Sequence, residues 1–127
     1  VRWTPCAAPV PCAVRALALE RILANLLDNA RRYGGGREIG VECERGRDQV
    51  VIRVLDSGPG IPEAEREAVF RPFHRLEPAR SAAGGGSGLG LTIARQLADA
   101  NHWSIAIDTR PGGGTITTVR IACTVPA

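Results

Sequence analysis

The sequence contains no lysine and no methionine, only 4% aromatic residues, two histidines and no long apolar run. Without lysine, all 16 basic residues are arginines, scattered among 13 acids to leave a net charge of +3. That pattern offers no basic patch of the kind that grips nucleic acid. No stretch approaches the roughly 18 apolar residues of a membrane span, and no charged-then-apolar leader opens the chain. Cys6, Cys12, Cys43 and Cys123 form no CxxC pair, which argues against a zinc site. Two of them fall at alternating strand positions, so buried reduced thiols are expected, with a Cys6–Cys12 disulfide as the alternative. There is no GxxxxGK[ST] sequence, and no glycine run follows a strand with an acid about 20 residues further on, so P-loop and dinucleotide folds are set aside. The lack of Met even at position 1 leads us to expect a segment cut from a longer protein. With 127 residues, 44% of them hydrophobic, one domain over 1–127 is expected, its core filled by aliphatic side chains.

What is present centres on residues 19–33, LERILANLLDNARRY. Leu19, Ile22, Leu23, Leu26, Leu27 and Ala30 follow the i, i+3, i+4, i+7 spacing of a helix that buries one stripe. Asn25 and Asn29 lie one turn apart on a flank of that helix, with Arg32 close in line. Taken alone, such a flank is a solvated helix face. Asparagine is a mediocre helix former, however, and two beside an arginine can offer carbonyl oxygens to a hard cation and donors to phosphate.

Upstream, residues 1–13 carry three prolines and little periodicity, and read as an edge strand or loop. Downstream, Gly34 to Gly36 form a helix C-cap. Ile39, Val41 and Cys43 then alternate as a strand, and a turn at 45–48 leads to a more apolar strand over 50–55. That strand runs directly into Asp56-Ser57-Gly58-Pro59-Gly60-Ile61-Pro62, a turn-rich loop where an Asp can face a cleft and glycines let a flat ligand reach the backbone. A short helix is expected over 63–70. Residues 71–87 lack any period and end in glycines, as a mobile lid does. Leu89, Ile93, Leu97 and Ala100 open a second helix with a glycine-lined N-terminus, where bare N–H groups and the helix dipole favour phosphate. A strand through Ile105 and Ile107, a turn at 110–114 and a last strand over 116–125 complete the chain. This order suits helices layered on one face of a mostly antiparallel sheet.

Four of these stretches, NLLDNARRY, DSGPGIP, FRPFHR and GGGSGLGL, resemble the N box, first glycine box, F box and second glycine box of one family. The family is the ATP-binding catalytic domain of bacterial sensor histidine kinases, within the superfamily shared with gyrase, the Hsp90 chaperone and MutL. The resemblance covers residues 17–121 in family order and spacing. RPFHRLEPAR and NARRYG look closest to the osmosensor-type kinases. It implies an α+β fold, a two-layer α/β sandwich of the Bergerat type, with a mixed, mostly antiparallel sheet covered on one face by about three helices.

The resemblance also implies roles. Asn29 would ligate Mg²⁺ through its amide oxygen, Asn25 would support metal and phosphates, and Arg32, where many relatives have Lys, would contact phosphate; Asn25 and Arg32 are thus the catalytic candidates. Tyr33 would pack beside the nucleotide. Asp56 would accept a hydrogen bond from the adenine amino group, where guanine presents a carbonyl instead. Gly58 and Gly60 would make room for the ring, with Ile61 in the same box. Gly86, Gly88, Leu89, Gly90 and Leu91 would form the phosphate side, Arg75 would reach phosphate from the lid, and Thr115 would share a water with Asp56. Two departures are visible. Where relatives follow a His with two glycines, His102 is followed by Trp103 and Ser104, which puts the local turn in doubt, and Thr117 replaces a common aromatic.

Neither His74 nor His102 lies in the helical His-Glu/Asp-x-Arg/Lys setting that such kinases phosphorylate, so the resemblance implies an acceptor on an upstream dimeric helical domain. A response regulator would follow in the signalling chain, this segment alone would be monomeric, and it would be a cytoplasmic part of an inner-membrane sensor. The alternative is a self-contained ATPase of the gyrase or chaperone type. Those enzymes carry a water-activating Glu four residues before the metal Asn, where this chain has Asn25. An anti-sigma-type serine kinase and a binding-only pseudokinase are further readings, opposed by the F box and by the intact Asn29, Asp56 and glycine boxes.

Overall fold

The structure is a computed structural model that describes residues 2–4, 16–33, 38–71 and 90–122. Strand β1 (Arg2–Thr4) precedes helix α1 (Ala16–Tyr33), the hairpin β2 (Gly40–Arg45) and β3 (Gln49–Asp56), helix α2 (Gly90–Ala100), and strands β4 (Ser104–Thr109) and β5 (Thr115–Ala122). The five strands lie in the order β1-β2-β3-β5-β4. Among the described residues β1 runs parallel to its neighbour β2, and the pairings of β2 with β3, β3 with β5 and β4 with β5 are antiparallel.

Strand alternation decides which side meets the helices. Val50, Ile52 and Val54 of β3 share a face, and the register sets Val41 opposite Val54, Val119 opposite Ile52 and Ile121 opposite Val50. Ile105 lies opposite Val119 and Ile107 opposite Thr117. These side chains form one core with Ile22, Leu26 and Ala30 of α1 and Leu91, Ala94 and Ala98 of α2. Both helices therefore cover the same face, as the α+β sandwich requires. Ile22, Val119 and Ile121 are the most deeply buried large residues; each contributes about 1.5–3 kcal/mol through removal from water. Ala94 and Ala98 are wholly buried, and their small side chains let α2 approach its neighbours closely.

The expected elements are present with four differences. First, α1 begins at Ala16, three residues before the apolar period becomes visible. Second, the helix expected over 63–70 forms two 3₁₀ turns, Glu63–Glu65 and Ala68–Phe70. The first buries no residue and has no side-chain cap, so only Val69 and Phe70 anchor the segment, too little for an α-helix of that length. Third, Cys43 is disulfide-bonded instead of reduced, while Cys6, Cys12 and Cys123 lie outside the described residues. Fourth, the doubt over the turn after α2 is resolved. Trp103 N–H bonds the Ala98 carbonyl at 2.8 Å and His102 N–H that of Asp99 at 3.1 Å, the double bond of a Schellman cap. His102 takes the left-handed position (φ 59) that glycine usually fills, and Trp103 turns inward to be buried. The glycine cap at 34–36 and all of the expected lid except Arg71 lie outside the described residues.

Candidate functional site

Asn25 of α1 meets the N-terminus of α2, and the end of β3 meets the start of β5. Asn25 and Asn29 are half-buried on α1. The Oδ1 of Asn25 lies 3.7 Å from the place a Cβ on Gly90 would occupy, so this amide faces the first residue of α2. Among the described residues neither asparagine side chain has a protein hydrogen-bond partner. An amide at the rim of a core forgoes those bonds at a cost unless water or a ligand makes them. On the outer side of the same helix, Asp28 receives hydrogen bonds from Arg31 at 2.7 Å and Arg32 at 2.8 Å. These two bonds, from Arg31 and then Arg32, hold the Asp28 carboxyl below its ordinary value. They also tether Arg32 along the helix.

Asp56 closes β3 and is buried. Its Oδ1 accepts the Gly58 N–H at 2.9 Å, an Asx turn that starts the glycine loop. Among the described residues Oδ2 has no hydrogen-bond partner. Directly across the ladder stands Thr115, also buried and with its hydroxyl likewise unpartnered among the described residues. A buried carboxylate oxygen and a buried hydroxyl facing each other across the ladder both have hydrogen-bonding capacity beyond their bonds to the described residues. The backbone around them is close-packed. A Cβ on Gly114 (φ 110) would come within 2.0 Å of the Asp56 carbonyl oxygen, and one on Gly60 (φ 82) within 3.3 Å of the Gly114 carbonyl oxygen. Only glycine fits at Gly114.

Of the other expected site residues, Ile61 packs half-buried against the core and Leu91 is a buried core residue of α2. Gly58 lies in the Asx turn and Gly90 opens α2. Tyr33 ends α1. Arg75, Gly86, Gly88 and Leu89 fall outside the described residues. The structure adds residues that the motifs did not mark. Arg110 Nη1 donates to the Asp56 carbonyl at 3.3 Å and to Ser57 Oγ at 3.1 Å. Arg66 donates to the Ile61 carbonyl at 3.3 Å and to Thr109 Oγ1. Three consecutive glycines ahead of Thr115 were the available signal that the turn at 110–114 presses against another backbone.

Among the described residues there is no group of three or more His, Cys, Asp or Glu that could cage a metal. A hard divalent ion would therefore depend on an amide oxygen such as that of Asn29 and on oxygens brought by a ligand. That donor set suits Mg²⁺, which commonly combines one or two protein oxygens with waters and substrate phosphates.

The family described as "Histidine kinase-, DNA gyrase B-, and HSP90-like ATPase" matches residues 15–125. Sensor protein KdpD of Mycobacterium tuberculosis is 40% identical over 104 residues, covering 82% of this chain and 12% of its own length. The chain thus corresponds to one part of a much longer relative. Among solved structures, the mycobacterial sensor histidine kinase MprB is 27% identical with a TM-score of 0.79, covering 98% of this chain and 83% of the other. The histidine kinase domain of the E. coli osmosensor EnvZ is 28% identical with a TM-score of 0.73, covering 99% and 76%. Among the described residues no helix is long and apolar enough to cross a membrane.

Proposed function

The chain belongs to the histidine kinase-, DNA gyrase B- and HSP90-like ATPase family, and from that premise we propose that it is a sensor-kinase catalytic domain over 1–127 that binds Mg-ATP and presents the γ-phosphoryl to a histidine on a separate domain. The observation that carries this reading is Asp56, a buried carboxylate with one oxygen spent on Gly58 N–H and the other unpartnered among the described residues. It accepts the adenine amino group through Oδ2, and Thr115 opposite shares a water with it. Gly58 and Gly60 admit the ring, with Ile61 and Tyr33 beside it.

Asn29 gives its amide oxygen to Mg²⁺, whose part is to neutralise phosphate charge when bound. Asn25, facing Gly90, supports the phosphates at the α2 N-terminus, where unpaired N–H groups favour anions. Gly86, Gly88, Leu89, Gly90 and Leu91 continue that cradle, Arg75 reaches it from 71–87 as a lid, and Arg32 contacts phosphate by leaving Asp28. Catalysis here is positioning and charge neutralisation, the main terms for phosphoryl transfer. The acceptor histidine lies on an upstream dimeric helical domain, a response regulator takes the phosphoryl next, and this segment alone is monomeric. The parent is a membrane sensor with this domain on the cytoplasmic side.

The ATPase alternative lacks a base, since Asn25 stands where a carboxylate would have to activate water. Replacing Asp56 by Asn keeps the shape and removes the charged acceptor. Calorimetric affinity for Mg-ATP should fall about tenfold to a hundredfold. Equal affinity for the two proteins would remove Asp56 from the adenine contact.

A further inference from the structure

The loop that carries Asp56 is held from outside by a side chain on a different turn. The β4–β5 turn closes on itself through Arg110 N–H to the Gly114 carbonyl and Gly113 N–H to the Arg110 carbonyl, both 3.0 Å. Gly112 to Gly114 all take positive φ, and the last of them, Gly114, packs directly against the Asp56 carbonyl at the end of β3. From this turn the half-buried Arg110 side chain reaches back across 54 positions of sequence to the Asp56 carbonyl and the Ser57 hydroxyl. Arg66 in turn holds the Ile61 carbonyl and Thr109, the residue next to Arg110 at the end of β4. The loop is thus gripped at its first two residues and again at its sixth.

We propose that Arg110 is a positioning residue for base recognition: by fixing the carbonyl of Asp56 and the hydroxyl of Ser57, it sets the direction in which the Asp56 carboxylate projects. The inference rests on the assignment of Asp56 to the adenine amino group. Besides Arg110, the Asx turn to Gly58, the end of the β3–β5 ladder and the close-packed backbone of Gly114 border the peptide between Asp56 and Ser57; Arg110 adds a side-chain grip from outside the loop that ties the Asp56 carbonyl to the Ser57 hydroxyl. A carboxylate displaced by a fraction of an ångström still binds water but loses its bond to a fixed purine edge. Both bonds leave one nitrogen, Nη1, whose two N–H groups lie in the fixed plane of the guanidinium and so hold the two oxygens in a set relation to each other.

Calorimetry with Mg-ATP and with Mg-inosine triphosphate separates positioning from general stability, because inosine carries a carbonyl where adenine carries the amino group. For Arg110→Ala, affinity for ATP should fall about three- to tenfold while affinity for inosine triphosphate changes less than about twofold. The preference for ATP then shrinks. Arg110→Lys should restore part of that preference, and Arg110→Ala added to Asp56→Asn should cost nothing further. An equal fall for both nucleotides, or an unchanged preference, would overturn the proposal. If Arg110→Ala melts below the titration temperature, the preference measured in Arg110→Lys decides by the same criterion. Asp56→Asn keeping the full preference would remove the premise and the proposal together. Asp56→Asn losing the preference while both Arg110 variants keep it would strike Arg110 alone.

Discussion

His102 holds a left-handed backbone (φ 59) that costs a side-chain-bearing residue energy, although His tolerates it better than most. His102→Gly removes that cost and adds some unfolded-chain entropy, so a net gain of about 0.5–1 kcal/mol is expected. A thermal melt should move up by ~2–4 °C; a lower midpoint would mean that the imidazole makes a contribution its backbone position does not reveal. Asp28 is a second residue with a measurable signature. The hydrogen bonds from Arg31 and then Arg32 favour its ionised form and hold its carboxyl below the ordinary carboxylate value. A depressed carboxylate stabilises the fold fully above the unfolded pKa, and this contribution is lost as pH falls through the lower folded value. The side chain is 42% exposed, so solvent screening limits the total to about 0.5 kcal/mol. Urea unfolding of the parent and of Asp28→Asn should differ by that amount near neutrality and converge in acid. A gap that widened in acid would contradict the assigned direction.

At the level of elements, the 3₁₀ turn Ala68–Phe70 and helix α2 flank residues 71–89 and are fastened to each other. The Thr92 hydroxyl donates to the buried Phe70 carbonyl at 2.8 Å, the Arg95 guanidinium lies 4.5 Å from the Phe70 ring centre, and Arg95 also pairs with Glu67 at 3.1 Å. The Glu67 pair is largely exposed and contributes little, whereas the hydroxyl bond is buried. Thr92→Val keeps the volume and leaves the carbonyl unsatisfied, so unfolding should become easier by about 1–2 kcal/mol; an unchanged midpoint would assign that carbonyl another donor. None of this fastening was legible in the sequence, because Thr92 and Phe70 are joined only by the fold. What was legible obeys local rules: the helical period of α1, the alternation of β3, and the glycines that end each motif. Asp56 and Thr115 were marked by motif, but their facing positions follow from the β3–β5 register, which no local signal sets. The 3₁₀ geometry at 63–70 was not legible because only Val69 and Phe70 are buried there, too little to hold an α-helix, and the His-filled cap at 102 because tertiary burial of Trp103 outweighed the cost of a side chain in the left-handed position.

For the whole molecule, the test is whether it holds ATP without hydrolysing it. Asn25 faces the N-terminus of α2, and its amide cannot take a proton from water at neutral pH. General-base help is typically worth about 10²–10⁴ in rate, so hydrolysis by the isolated chain should be slow while nucleotide binding stays intact. Transfer requires a better nucleophile than water, held in line with the γ-phosphate, and the proposed upstream helical domain supplies it as a histidine. Labelled ATP incubated with the chain alone should yield neither steady phosphate release nor labelled protein. Adding the separately produced upstream domain should place label on that domain only, in acid-labile form, as a phosphorus–nitrogen bond dictates. Steady turnover by the chain alone, or label on His74 or His102, would move the assignment to an ATPase or a self-modifying enzyme. Introducing Asn25→Glu sharpens the test, because a carboxylate there is placed to activate water: release of phosphate should rise at the expense of label on the partner domain. If it does not, the residue at this position is not what separates transfer from hydrolysis in this fold.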